Sequence, residues 1–278
     1  VKQSNWGSRS RFPQTRMGVE QVFTDYFTRA KEYEKAKQND KDFRKDLEME
    51  TLLEIINSER FVSAHSYVQS EINMLMKVAE NFDFRINTFT HILEGYKVAD
   101  KMKEHGAGGS TFSDWWAYKY EVNDAIPFNA PIMHSQGIVT AINSDDAEMS
   151  RRLNQEAAKS VKYGGVSEEE AWKFVTLNPA KLLHIDDRVG SVKTGKDADL
   201  VLWSDNPLSI YAKAEKTLIQ GKVFFDIERD KKLRQEIQQQ RSELITQMLK
   251  AKNKGLKTQP VTKKEEQHIH CNTLEEIH

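Results

Sequence analysis

Apolar residues recur at three-and-four spacing through Val19, Val22, Phe23, Tyr26, Phe27, Ala30 and Tyr33, which places one stripe on a helix within residues 17–57. A second helical run is expected over residues 43–56, after the polar break at Asn39 and Asp40. The rhythm then changes. Residues 60–65 form a short β-prone run that ends in His65. An amphipathic stretch over residues 72–82 follows, with Ile72, Leu75, Met76 and Ala79 on one face. Residues 84–91 make a second β-run, again ending in a histidine, His91, and residues 96–105 read as a helix closed by Gly106. Short strands alternating with stretches of about a dozen helical residues are the signature of βα units in a parallel sheet.

The alternation continues. Residues 108–112 form a plausible strand, and Asp114-Trp115-Trp116 opens a long irregular loop through Pro127 and Pro131. Residues 137–143 are the most apolar strand candidate and end at Ser144-Asp145-Asp146. Helices are expected over 147–163 and 167–175, the second opened by the capping pattern Ser167-Glu168-Glu169-Glu170. After Asn178-Pro179 the pattern switches to short β segments over 190–192, 198–203, 217–220 and 223–225, the last two joined by a turn at Gly221-Lys222. A helix poor in apolar residues spans 228–252, and the remainder is Lys/Gln/Glu-rich and expected to be loose.

Composition adds exclusions. Forty-one Lys+Arg against forty-two Asp+Glu give a net charge of −1, so no global field steers nucleic acid or an anionic membrane. The basic residues of the last fifty positions are diluted by acids and lack interleaved aromatics, which also argues against nucleic acid. No run approaches 18 apolar residues, so no transmembrane helix is expected. The mean hydropathy of −0.69 reflects polarity gathered in the first sixty and last fifty residues. The lone Cys271 makes no internal disulfide and leaves the compartment open, as does a chain beginning at Val1.

Candidate chemistry lies in a spacing. His65 and His91 each end a strand 26 positions apart, and Asp145 ends another strand 54 positions further on. With a βα repeat of roughly 27 residues, these three fall on strands n, n+1 and n+3, with residues 108–112 as strand n+2. The C-terminal ends of parallel strands converge on one face, where active sites are built. Two imidazoles and a carboxylate there suit a divalent metal such as Zn²⁺. The plainer alternatives are a satisfied polar histidine at each strand end and an N-cap role for Asp145 or Asp146.

Four blocks raise the metal reading: Thr90-His91-Ile92-Leu93-Glu94-Gly95, Asn143-Ser144-Asp145-Asp146, Thr176-Leu177-Asn178-Pro179-Ala180, and Gly190-Ser191-Val192-Lys193-Thr194-Gly195-Lys196-Asp197-Ala198-Asp199-Leu200-Val201. In this order they resemble the C-terminal half of a metal-dependent amidohydrolase of the imidazolonepropionase-like and prolidase-like branch. The resemblance implies an α/β fold: strands five to eight of a TIM-type (β/α) barrel, then strands of a small β-sandwich and a C-terminal helix. The corresponding division is 1–59 as a helical region joining the barrel, 60–185 as half-barrel, 186–227 as sandwich strands and 228–278 as charged helix and tail.

The resemblance also implies roles. His65 matches a metal ligand after the fifth strand, and His91 a ligand or carbonyl-polarising group after the sixth. Asp145 matches the metal-binding aspartate after the eighth, which takes a proton from the attacking water. One or two divalent ions, zinc first, would activate water for hydrolysis of a C–N bond in a small amide substrate, with His91 and Asp145 as the catalytic pair.

The family's His-x-His on the first barrel strand has no counterpart before residue 268, and His268-Ile269-His270 lies in the polar tail. The fourth-strand lysine has only Lys2 near its place, with no β-run before it. The expectation is therefore a fragment that lacks further ligands and is inactive alone. The rival is a catalytically dead amidohydrolase-fold binding protein. His134, in the long loop on the expected active-site side, and Tyr67, two residues past His65, are candidate substrate contacts. Trp115, Trp116 and Tyr118 line a pocket or pack the loop, with packing favoured. His105 and His184 sit at helix ends, where dipole compensation explains them. A homo-oligomer through residues 228–252 is a third reading, against which the sparse apolar positions count.

Overall fold

The computed structural model describes residues 12–40, 43–115, 119–257 and 259. Lys2, Trp116, Tyr118, His268, His270 and Cys271, singled out above, lie outside them. Two compact units divide at Ser191/Val192.

The first unit opens with α1 (Arg16–Asn39), whose Thr15 side chain accepts from Gly18 N, and α2 (Leu47–Ile56), capped by Asp46. Helix α2 starts later than residue 43 because the Asp46 carboxylate takes the Glu48 and Met49 amides, which fixes the first turn there. The βα rhythm follows: β1 (Val62–His65), α3 (Gln69–Asn81), β2 (Ile86–Thr90), α4 (Ala99–His105), β3 (Gly108–Thr111), α5 (Asn129–Ser135) and β4 (Thr140–Ile142). Gly106 closes α4 at φ 84°, a left-handed C-cap that a side chain would strain. Short helices α6 (Ala147–Ser150), α7 (Leu153–Gly164), α8 (Glu168–Lys173) and α9 (Leu177–Leu182) complete the unit.

All four strands pair in parallel in the order β1-β2-β3-β4, as an open sheet rather than a closed barrel. The outer edge of β4 is occupied: Ile142 N donates to Phe174 O, and Asn178 Nδ2 donates to Thr140 O. Register aligns His65, Thr90, Ser110 and Ala141 across the sheet, and Ala64, Phe89, Gly109 and Thr140 one step before. Because successive side chains alternate, these rows face opposite sides. The Ala64–Phe89 side is buried in a core with Ile72, Met76, Met102 and Met133 of the flanking helices. On the other side His65, Thr90 and Ser110 stay half-buried.

Two expectations are corrected here. Residues 115–136 are not one irregular loop, since they contain a 3-10 turn at Tyr120–Val122 and helix α5. Pro131 sits in the first turn of α5, where an amide has no intrahelical acceptor, so it permits the helix that the sequence reading denied. Residues 190–192 are no strand. Gly190 lies at φ 84° against α9, where an added Cβ would meet Ala180 Cβ at 2.7 Å.

The second unit is an antiparallel sheet of β5 (Leu200–Trp203), β6 (Ala214–Ile219) and β7 (Lys222–Asp226), followed by α10 (Ile227–Asn253). The turn between β6 and β7 is Gln220-Gly221, with both φ positive, one residue earlier than expected and suited to a tight hairpin. Among the described residues of this unit no hydrophobic side chain is fully buried.

Candidate metal and substrate site

The C-terminal ends of β1 and β2 bring the two histidines together. His65 is the last residue of β1 and pairs with Thr90. His91 follows Thr90 at φ 58°, in the left-handed region. That turn interrupts the strand alternation, and its neighbours are held by Ser66 N to Thr90 O and Ile92 N to Ser110 O, both 3.1 Å. The rings of His65 and His91 lie 4.7 Å apart at 67°, edge to face. His65 Nε2 and His91 Nδ1 are both buried.

Aromatic neighbours frame the pair. The Tyr67 ring lies 4.9 Å from that of His65 and 6.4 Å from that of His91. Phe112 packs 4.8 Å from His91 and stacks on Trp115 at 4.3 Å. Lys119 places its ammonium 4.5 Å over the Tyr67 ring and donates to the Tyr67 hydroxyl at 3.4 Å. A cation so placed at the rim was not singled out from the sequence, because nothing local marks it.

Asp145 is three residues past the end of β4, half-buried. The next residue, Asp146, caps α6 by accepting from Glu148 N at 2.8 Å and Met149 N at 3.0 Å. Among the described residues no three His, Cys, Asp or Glu side chains gather closely enough to hold a metal ion. The donors suit a divalent cation as a partial set: two imidazole nitrogens stand together, whereas catalytic zinc takes three protein ligands.

His134 lies near the C-terminal end of α5 rather than in a loop. Its ring packs 5.2 Å from Phe174. The opposite end of the same helix faces the site. Asn129, 1% exposed, donates to Ile92 O at 2.6 Å and Thr111 Oγ1 at 2.9 Å, and accepts from Tyr96 N. His105 is not merely a helix-end residue either, since its buried ring accepts from Ile86 N and contacts Glu80.

A charged cluster supports the loop after β3. Ser113 hydrogen-bonds Glu156, and the Lys159 ammonium lies 2.7 Å from Asp114 and 2.9 Å from Glu156. Burial works against the Lys159 charge, but the Asp114 and Glu156 hydrogen bonds outweigh it and raise the pKa. Glu94, from the Thr90–Gly95 block, is buried and accepts from Gln69 N, tying that loop to α3.

Residues 126–231 match the amidohydrolase family. The chain is 28% identical over 238 residues to an amidohydrolase of Hapsidospora irregularis, covering 79% of this chain and 24% of that protein. It is 38% identical over 76 residues to an imidazolonepropionase of Picrophilus torridus, covering 27% of this chain and 19% of that one. The solved structure of an amidohydrolase from Thermotoga maritima superposes with a TM-score of 0.71 at 29% identity, covering 78% of this chain and 58% of that one. Together these matches support an amidohydrolase-superfamily member. It spans about a quarter of the length of the Hapsidospora relative. Amidohydrolases are generally metal-dependent. No helix among the described residues is long and apolar enough to cross a membrane.

Proposed function

We propose that this chain carries part of the metal centre of an amidohydrolase that cleaves a C–N bond in a small amide. The observation that carries the reading is the His65–His91 pair, two half-buried imidazoles, each with one buried ring nitrogen, at adjacent parallel strand ends. The parallel sheet is read as the C-terminal half of a (β/α) barrel, and β5–β7 as part of a β-sandwich. Resemblance to metal-dependent amidohydrolases supports both.

In this reading His65 and His91 hold the cation, Zn²⁺ first. A divalent cation bound there lowers the pKa of water towards about 7 and so supplies hydroxide at neutral pH. Asp145 holds the proton released from that water and returns it to the leaving nitrogen. Tyr67 lines the approach to the pair. The absence of a gathered third ligand among the described residues favours a second reading, a binding protein of the same fold with no hydrolysis.

Cobalt(II) titration followed by visible absorption separates the two. The pair should take up Co²⁺ with ligand-field bands that His65→Ala and His91→Ala each remove. Equal uptake by wild type and the double variant would defeat the assignment. Turnover of an N-acyl amino acid by the zinc-loaded protein would then decide for the enzyme.

A further inference from the structure

On the side of the sheet opposite the Ala64–Phe89 core, an amide follows the row that begins with His65. Asn143 directly follows β4, and its backbone N–H is fixed to Thr111 O at 2.9 Å. Register pairs Ser110 with Ala141, so the Asn143 side chain projects on the same side as Ser110, Thr90 and His65. The contact agrees, since Ser110 Oγ donates to Asn143 Oδ1 at 2.7 Å. That bond occupies the acceptor end of the amide and turns its NH2 end away. Asn143 Nδ2 is buried and has no hydrogen-bond partner among the described residues.

Leaving a buried donor without an acceptor is costly, and native structures keep few of them. The group that relieves such a donor is one that offers an acceptor lone pair. Shielded from bulk water, the bond it makes is stronger than one at the surface. The carbonyl oxygen of an amide or lactam has this chemistry, whereas an ammonium or guanidinium does not.

We propose that Asn143, oriented by Ser110, binds the substrate's carbonyl oxygen. The assignment rests on the hydrolase reading for its consequence, because the bound oxygen belongs to the bond being cleaved. Capture of the oxygen itself needs neither metal nor turnover. A neutral amide donor selects a carbonyl over isosteres that accept poorly, and a site built on such a bond discriminates strongly against them.

The test uses 2-pyrrolidone and its weak-acceptor isostere pyrrolidine-2-thione as probes, with a chelator in both arms. The Asn143 side-chain amide is followed in ¹⁵N-labelled protein and assigned by its loss in Asn143→Asp. 2-Pyrrolidone should shift that signal saturably and bind at least about tenfold tighter than the thione. Asn143→Asp should abolish the preference. Ser110→Ala, which leaves Asn143 in place, should keep the signal and weaken the preference severalfold. An unmoved Asn143 signal, or a preference that survives Asn143→Asp, would overturn the proposal. Equal Co²⁺ uptake by wild type and the His65→Ala/His91→Ala double variant would instead remove the metal-hydrolase reading and leave carbonyl binding standing.

Discussion

His65 and His91 leave adjacent parallel strands one register step apart and bring their rings to 4.7 Å. The single step matters. His65 ends β1 with ordinary strand alternation, whereas His91 turns back towards it through a backbone at φ 58°. The pair therefore depends on a local conformation that most side chains resist.

That conformation is testable through stability. In the left-handed region a Cβ costs roughly 1–2 kcal/mol that glycine avoids. His91→Gly should accordingly be about 1 kcal/mol more stable than His91→Ala in urea denaturation, the reverse of their order in an ordinary strand. Equal stabilities would mean that residue 91 does not hold this backbone.

Asn129 makes three hydrogen bonds from a buried position and links the loop after His91 to β3. Replacing it with leucine leaves the Ile92 carbonyl and the Tyr96 amide with no side-chain partner. At about 1–3 kcal/mol for an unsatisfied buried group, Asn129→Leu should lower unfolding free energy by roughly 3 kcal/mol. A loss below about 1 kcal/mol would show the network to be dispensable.

The loop bearing Phe112 and Trp115 is held by Lys159 between Asp114 and Glu156, whose side chain is 7% exposed. Removing one partner of a buried ion pair leaves an uncompensated charge, at about 3–5 kcal/mol when burial is complete. Because Lys159 keeps some solvent, Lys159→Met should cost less, roughly 2 kcal/mol. Adding Glu156→Gln should restore part of it. Additive losses in the two variants would argue against a coupled cluster.

The link between α1 and α2 sets a pH response. The Glu50 carboxyl is held below the usual carboxylate range, first by the Lys37 hydrogen bond at 2.5 Å and then by that of Tyr33 at 2.6 Å. A depressed carboxyl contributes stability above its unfolded value, about 4.3, and loses it as pH falls through the folded one. The same contact raises Lys37, whose contribution is complete below about 10.4 and fades as pH rises through its folded value. Glu50→Gln should therefore flatten both the acid and the alkaline limbs of Tm against pH. An unchanged acid limb would remove Glu50 from the account.

Asp145→Asn tests the proton-transfer role. In zinc-loaded protein with measurable turnover, kcat should fall by about 10²–10⁴ with little change in metal content. Retained activity would reassign Asp145 to a structural role.

The sequence by itself determined most of the βα order and the strand ends at His65 and His91. Strand periodicity ending at His65 and at His91 is local, and two strands with the same βα spacing must end on one face. Helix starts at Asp146 and Ser167 were legible for the same reason, since a cap acts within three residues. Helix α5 was missed because proline reads as a breaker unless its place in the first turn is known, and that error left His134 in a loop. Only the tertiary structure decided the side on which each strand residue points and what meets it across the sheet. The Ser110–Asn143 bond joins residues on neighbouring strands. Lys119 reaches Tyr67 from a loop 52 positions later in the chain. Such contacts depend on register and backbone sign, which no local pattern of hydrophobic and polar residues encodes.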